Sequence, residues 1–427
     1  MIFAFGYVNI VYRIVYKIYL LLYHKKLKCK YNIFLSSDGV RKIFNGGFIM
    51  YAVKKGSYDV IVAGGGIAGV SAAVSAARCG KSVLLIEKQV NLGGLATVGL
   101  ISWYEPLCDG EGKQMIFGIG EELIKLSIKY GFDSLDKKWG GSEANPKDKR
   151  YATNYSPTIF SIMLDKFVMD NGVKLLFDTW VCRPVMDGNH CSGVICETVE
   201  GRVYYEAKVI IDATGDATVC HRAGMPTVLD ENFMTYVTHA VDKEGAKKYL
   251  EDGKMNTLRM WYGAGSNLEG VGHPEGMGKL KGETAEDVTA YVVTGKQMLF
   301  EKFKKKQRDE FDISMLPTMP QFRTIRRIAG AEDFNAVDNE TYENSIGNTG
   351  DFRRPGKHYQ IPYGALYNPE FDNILACGRI ISAPQGDGWE VARVIPTCAL
   401  TGEAAGKAAA NAIDNNISVS EVNVTEL

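Results

Sequence analysis

A strand that breaks at glycine and restarts as a helix sets the terms for this chain. From Tyr58 to Val70 the sequence reads Tyr-Asp-Val-Ile-Val-Ala-Gly-Gly-Gly-Ile-Ala-Gly-Val. It is an apolar β-type run that stops at Gly64 and continues as an Ala-rich stretch without proline. A second apolar run, Ser82 to Ile86, follows and ends at Glu87 and Lys88. Strand, glycine turn, helix, strand and acid within about thirty residues make the dinucleotide-binding βαβ pattern. Gly64 permits the tight turn, Gly66 lets backbone approach a pyrophosphate, and Gly69 lets the helix pack closely on the strand. Gly65 and Ala68 complete the set expected to face the cofactor, where free N–H groups at the helix N-terminus receive phosphates. Glu87, 18 residues after Gly69, is placed to accept hydrogen bonds from a ribose. The pattern requires an ADP-containing ligand and leaves NAD and FAD both open.

Composition removes other classes. With 46% hydrophobic residues the chain is not disordered, and 49 basic against 50 acidic side chains give no footprint for nucleic-acid binding. The balance is uneven, because residues 1–49 hold eight basic side chains and one acidic one, Asp38. The run Met1 to Tyr23 is apolar but interrupted by Arg13 and Lys17. A charge near mid-bilayer costs a helix roughly 2.5–3.5 kcal/mol. A positively charged start and a small-residue cleavage site are missing too, so a signal peptide reads poorly. The segment reads better as translated AT-rich upstream DNA. Gly46-Gly47 can be encoded by a purine-rich ribosome-binding tract, and Met50 is the expected start. No membrane contact is expected.

Three later segments bear on the cofactor. Asn91-Leu92-Gly93-Gly94-Leu95-Ala96-Thr97 follows the acidic residue at once. Lys208 to Asp216 is a buried-strand pattern ending in Ala213-Thr214-Gly215-Asp216. Asn373 to Arg379 is another short strand ending at Gly378, followed by Arg393-Val394-Ile395-Pro396-Thr397-Cys398 and an Ala/Gly-rich helix from Ala399 to Ala410. Together these resemble the FAD-dependent oxidoreductase family of the glutathione-reductase-type superfamily, related to fumarate reductase and succinate dehydrogenase flavoproteins. The likeness extends through Gly94–Ile101, Arg323–Gly330 and Ile361–Tyr363, covering essentially all of 57–412.

The resemblance implies an α/β fold. A discontinuous Rossmann-like FAD-binding domain would comprise 50–110, 155–225 and 366–427, with an inserted α+β substrate domain from 111–154 and 226–365. It implies cofactor contacts at Glu87, Lys88, Gly93, Gly94, Leu95, Ala96, Ala213, Thr214, Gly215, Gly378, Arg379, Thr397 and Cys398, and through backbone at Val181. A helix starting near Thr397 would aim its dipole at the flavin pyrimidine. No histidine lies between Asn91 and Trp103, where succinate dehydrogenase relatives attach flavin, so noncovalent FAD is expected. No second Gly-x-Gly-x-x-Gly occurs in a strand–helix setting, so a nicotinamide domain of the disulfide-reductase type is not evident.

Catalytic candidates are sparser. A helical reading of Arg323, Arg326 and Arg327 makes them an anion clamp or a solvated face paired with Glu332 and Asp333. His358, in a polar loop, is a candidate for proton transfer. Arg323, Arg327 and His358 are therefore the expected catalytic set, with Glu105, Trp103, Tyr104 and Trp389 as further candidates near the flavin. Nine cysteines show no metal or redox spacing, and no metal is expected. Cys191 and Cys196 should point to opposite faces of one strand. Cys398, at a helix N-terminus, is the thiol whose pKa could fall. Helices are expected over Lys113–Tyr130 and Thr284–Phe311, and an exposed loop over 133–149.

The expectation is a cytoplasmic flavoprotein passing a hydride between a small-molecule substrate and noncovalent FAD. A quinone, another protein or a diffusible nicotinamide would serve the other half-reaction. A flavin-carrying electron-transfer subunit is the alternative, opposed by the long segment 226–365.

Overall fold

The computed structural model describes residues 33–35, 40–45, 48–135 and 151–426. Most of the expected leader 1–49 lies outside the described residues, as does most of the polar stretch 133–149, while Met50, the expected start, falls within a described strand.

The apolar run before Gly64 is the end of a long strand. β1 (Ile33–Leu35) and β2 (Val40–Asn45) run antiparallel into β3 (Phe48–Ala63). β4 (Val83–Ile86) then lies parallel to β3, and β5 (Lys174–Leu176) parallel to β4. β6 (Trp180–Asp187) and β7 (His190–Thr198) form an antiparallel ribbon leading into β8 (Gly201–Asp212), which pairs parallel with β3. From far downstream, β9 (Ile374–Ala376) closes on the other side of β8, again parallel. Asn373 holds it there, its amide donating to Cys191 O (2.8 Å) and Lys208 O (2.7 Å). The result is a mixed α/β fold with a parallel core ordered β5-β4-β3-β8-β9.

Both faces of that core are covered, which is why its strands read as unbroken apolar runs. Val60, Val62, Val83, Leu85, Val209 and Ile211 share one cluster with four helices: α1 (Ile67–Arg78), α2 (Gly118–Ile128), α3 (Pro157–Asp170) and α4 (Ile395–Asn415). Ile61, Ala63, Leu84, Ile86 and Ile210 belong to the opposite cluster, with Met186, Val194, Val219 and Cys220. α1 and α4 approach until backbone meets backbone. A Cβ on Gly402 would stand 2.2 Å from Ala68 O.

Several expectations change here. The strand expected from Lys208 is the end of a longer one, β8, which starts at Gly201 because a bulge at Tyr204/Tyr205 lets it continue along β3. Cys191 and Cys196 do not separate: both are buried in the same cluster. The register between β6 and β7 shifts at Val185/Met186, which undoes the parity expected of five residues. Burial pushes their thiols up to about 11 and about 12. The eight cysteines among the described residues are all free.

A second, smaller layer follows β8. A three-stranded antiparallel sheet has Thr235–Asp242 at its centre, flanked by Met260–Gly265 and Phe311–Met315. The helix Ala285–Phe303, capped by Thr284 accepting Asp287 N–H, packs on it around Tyr236, Tyr291, Leu299 and Phe322. This helix stops at Phe303, short of the expected Phe311, and the other expected helix spans only Gly118–Ile128. Arg323–Arg327 is not helical. Arg326–Ile328 is a strand paired antiparallel with Thr227–Leu229. The Asn232 side chain accepts the N–H groups of Arg323 (3.0 Å) and Thr324 (3.1 Å) and donates to Thr324 O (2.7 Å), pinning the chain open. The three arginines therefore share no helix face.

Candidate active site

Four parallel strands end at one cleft. β3 runs out into Gly66 and Ala68, β4 into Glu87 and Lys88, β8 into Ala213, Thr214 and Gly215, and β9 into Gly378 and Arg379. All of these line a cleft of about 970 Å³, at the carboxyl ends where open α/β sheets bind ligands. Gly93, Gly94, Leu95 and Ala96 add a turn along its floor, Gly93 N–H bonding to Gly65 O at 2.8 Å. Cys398 and Ile395 bring the N-terminal end of α4 to the same space.

Two helix ends thus face the cleft. The first intrahelical bond of α1 is Val70 N–H to Gly66 O, so the N–H groups of Ile67, Ala68 and Gly69 have no carbonyl within the helix. Gly66 leaves room in front of them, since a Cβ there would meet nothing within 4 Å. Gly69 does the reverse: its Cβ would stand 1.8 Å from Gly64 O, so glycine here serves packing.

Glu87 is buried, which holds its carboxyl above the usual carboxylate range. Its Oε2 accepts Gly65 N–H (2.6 Å) and its Oε1 accepts Gln89 N–H (2.8 Å). It therefore fastens the glycine turn to the end of β4. Each oxygen keeps a second lone pair for a ligand hydroxyl.

The opposite wall comes from the smaller layer, through Met319, Pro320, Phe322 and Ile325. Basic groups gather on this side. Arg379 donates to Gly215 O (2.5 Å) and Phe322 O (2.8 Å). Arg393 also lines the cleft, stacked over Trp389 at 4.6 Å and paired with Glu390, and its buried Nε has no hydrogen-bond partner. Arg323 lies within electrostatic reach of Arg393, and burial plus that charge hold its pKa down. Arg323 is not itself among the residues that line the cleft, and Glu390, paired with Arg393, partly offsets the burial of Arg323.

The remaining sequence candidates fall elsewhere. Gly64 and Gly65 form the turn behind the lining. Thr397 is buried in the first turn of α4, its hydroxyl bonded to Thr349 (2.6 Å). Val181 sits within the β6–β7 pairing, away from the cleft lining, and Arg222 reaches its carbonyl (3.4 Å). Arg327 is turned toward Asp230 and Asp333, both at 3.9 Å. His358 is exposed, because Tyr359 and Ile361 take the inward positions of strand His358–Pro362. Cys398 lines the cleft, yet its thiol is not acidified. Burial outweighs the helix end and pushes it up to about 12.

The sequence reading assigned no role to Arg393 or to the Met319–Ile325 wall. The signal available was an apolar, proline-flanked run without helical or strand period, Leu316 to Phe322.

Behind the cleft, Glu105 accepts Ile395 N–H at 3.3 Å, and burial pushes its carboxyl from 4.5 up to about 7. The folded protein therefore keeps a proton that the unfolded chain has released. That stability is complete below pH 4.5 and lost as pH rises through about 7. Melting temperatures at about pH 5 and about pH 8 should differ more in the wild type than in Glu105→Gln, by a few degrees. Equal differences would contradict a Glu105 that titrates near neutrality.

Among the described residues, no helix is long and apolar enough to cross a membrane, and no three His, Cys, Asp or Glu side chains gather as a metal site. The profile of the FAD dependent oxidoreductase family matches residues 59–237 and 333–427. A digeranylgeranylglycerophospholipid reductase of Methanoculleus marisnigri is 28% identical over 198 residues, 41% of this chain and 43% of that protein. A thioredoxin reductase of Ureaplasma parvum is 29% identical over 80 residues, 19% of this chain and 26% of that protein. The chain spans less than half the length of these curated relatives. Among solved structures, a geranylgeranyl bacteriochlorophyll reductase-like protein of Thermoplasma acidophilum has a TM-score of 0.46 at 15% identity, covering 84% of this chain and 79% of that one.

Proposed function

The chain belongs to the FAD dependent oxidoreductase family, and from that premise we propose that its cleft takes FAD noncovalently and exchanges a hydride with a small anionic organic substrate. It is a flavin-dependent oxidoreductase, and FAD is its cofactor. The finer reading rests on one observation: the buried Arg393 Nε, without a partner among the described residues, lining the cleft beside the N-terminal end of α4.

The residues fit the cofactor. Gly66 leaves the N-terminal end of α1 open for a pyrophosphate, and Glu87 has lone pairs left for a ribose. Gly93 to Ala96 and the N-terminal end of α4 would flank the flavin. When bound, FAD supplies the two-electron donor or acceptor. Arg393 and Arg323 would bind and orient a carboxylate or oxyanion of the substrate, while Met319, Pro320, Phe322 and Ile325 exclude water. On this reading the strand-end segments of 50–110, 155–225 and 366–427 serve the cofactor. The wall from 226–365 serves the substrate, joined by Arg393 from the cofactor part.

Anaerobic mixing of the holoenzyme with sugars, hydroxy acids and unsaturated acids, followed by flavin absorption, tests this. Acids should change the flavin redox state and neutral sugars should not. Arg393→Met should weaken the effective acid at least ~10-fold with FAD retained, the loss expected of a charge-assisted contact. Reduction by a partner protein alone would favour an electron-carrying subunit instead.

A further inference from the structure

We propose that a second pocket, formed by Ser102, Asn154, His239, Asn256, Arg259 and Trp261, binds a small oxyanion: a phosphate or a carboxylate. It encloses about 460 Å³ and shares no lining residue with the cleft. Its walls come from the segment leaving the Gly94–Ala96 turn, from Asn154, and from the smaller sheet.

The charge inventory makes the case. Among the described residues Arg259 is the one formal cation of the lining, which Phe132 completes, and no described carboxylate lines the pocket to meet it. Its Nη1 is buried without a hydrogen-bond partner among the described residues, and burial holds its pKa below the usual arginine value. A guanidinium partly withdrawn from water with nothing to pair costs free energy that an anion would recover.

The neighbouring groups are set as neutral hydrogen-bonding partners. Trp261 Nε1 donates to Ser102 Oγ at 3.1 Å, and Ser102 Oγ lies 3.2 Å from His239 Nε2. His239 is buried to 1% exposure, and burial, reinforced by the Arg259 charge, brings its pKa down to about 4. It is neutral near pH 7 and shares a hydrogen bond with Ser102 through Nε2, while its buried Nδ1 has no hydrogen-bond partner among the described residues. Since His239 carries no charge of its own, the site holds a single positive charge. Asn154 and Asn256 also line the pocket, Asn154 Nδ2 donating to Ser134 Oγ at 3.3 Å, and the half-exposed Trp261 lines it with Arg259. One planar cation in a lining that also holds two amides, with no competing acid among the described residues, matches a two-oxygen anion held through the guanidinium fork.

Titration calorimetry of the holoenzyme with inorganic phosphate and, separately, with succinate tests the site, with tryptophan fluorescence as a second readout. At least one probe should bind saturably, and the tighter one identifies the source of the oxyanion. Arg259→Gln should weaken it at least ~10-fold while flavin absorption stays unchanged. Trp261→Phe should remove the fluorescence change. Should Arg259→Gln fail to fold, Asn256→Ala carries the test, with an expected loss of a few-fold in affinity. No saturable binding of either probe by the wild type, or equal affinity in the variant, would overturn the proposal. Flavin content is read in the same samples, so a failure here is distinguishable from a failure of the cofactor reading.

Discussion

Gly66→Glu should give a folded protein that no longer holds FAD. A side chain at this position meets no protein atom within 4 Å of its Cβ, so the fold accommodates it. The space it enters is the cleft itself, in front of the unpaired N–H groups of α1. A carboxylate there competes for those groups and repels the pyrophosphate. Like charges brought together in a desolvated site cost several kcal/mol, so affinity should fall by ~1,000-fold or more. The purified variant should be colourless, with wild-type circular dichroism and an apoprotein melting temperature within a few degrees of wild type. Stoichiometric flavin in this variant would contradict the placement of the phosphates.

Gly402→Leu should have the other outcome, a loss of the fold. Its Cβ would stand 2.2 Å from Ala68 O, and Gly406 repeats the contact one turn later at 2.4 Å from Ala72 O. Neither contact is with a flexible side-chain end, so α1 and α4 must separate. Overpacking of a close-packed interior costs typically 1–3 kcal/mol, and backbone displacement puts this case at or above the upper end. Both helices point an N-terminal end into the cleft, so cofactor binding should go with stability. Expression should yield little soluble protein, and any that remains should melt well below wild type. A variant with wild-type melting would show that the two helices can slide apart cheaply.

The segments proposed to hold the cofactor are legible in the sequence because the chemistry expected of them is carried by backbone. Gly64 to Gly69, Gly93-Gly94, Ala213 to Gly215 and Gly378 are contiguous, and each owes its residue type to a turn or a close approach. The substrate side was not legible, because side-chain positions there depend on distant partners. Arg323 looked helical by spacing and is held extended by Asn232, 91 residues earlier in the chain. Arg393 stood in a quoted motif, yet only the packing of α4 and Trp389 turns it toward the cleft. His358 is a different kind of miss. Alternation along His358, Tyr359, Gln360 and Ile361 already left the histidine on the outward side of a strand.

β9 arrives last at a sheet whose centre is made first. A ribosome delivers the glycine turn long before residues 374–376 exist, and until then one margin of β8 has no neighbour and Cys377 to Arg379 have no place. Pairing so distant in the chain is slow, and an unpaired strand margin on an incomplete polypeptide invites wrong partners. Chaperones would meet that intermediate, and cofactor supply would not rescue it, since the cofactor has nowhere complete to settle. On the proposed cofactor reading, the cleft is complete only once residues 374–379 have joined the sheet.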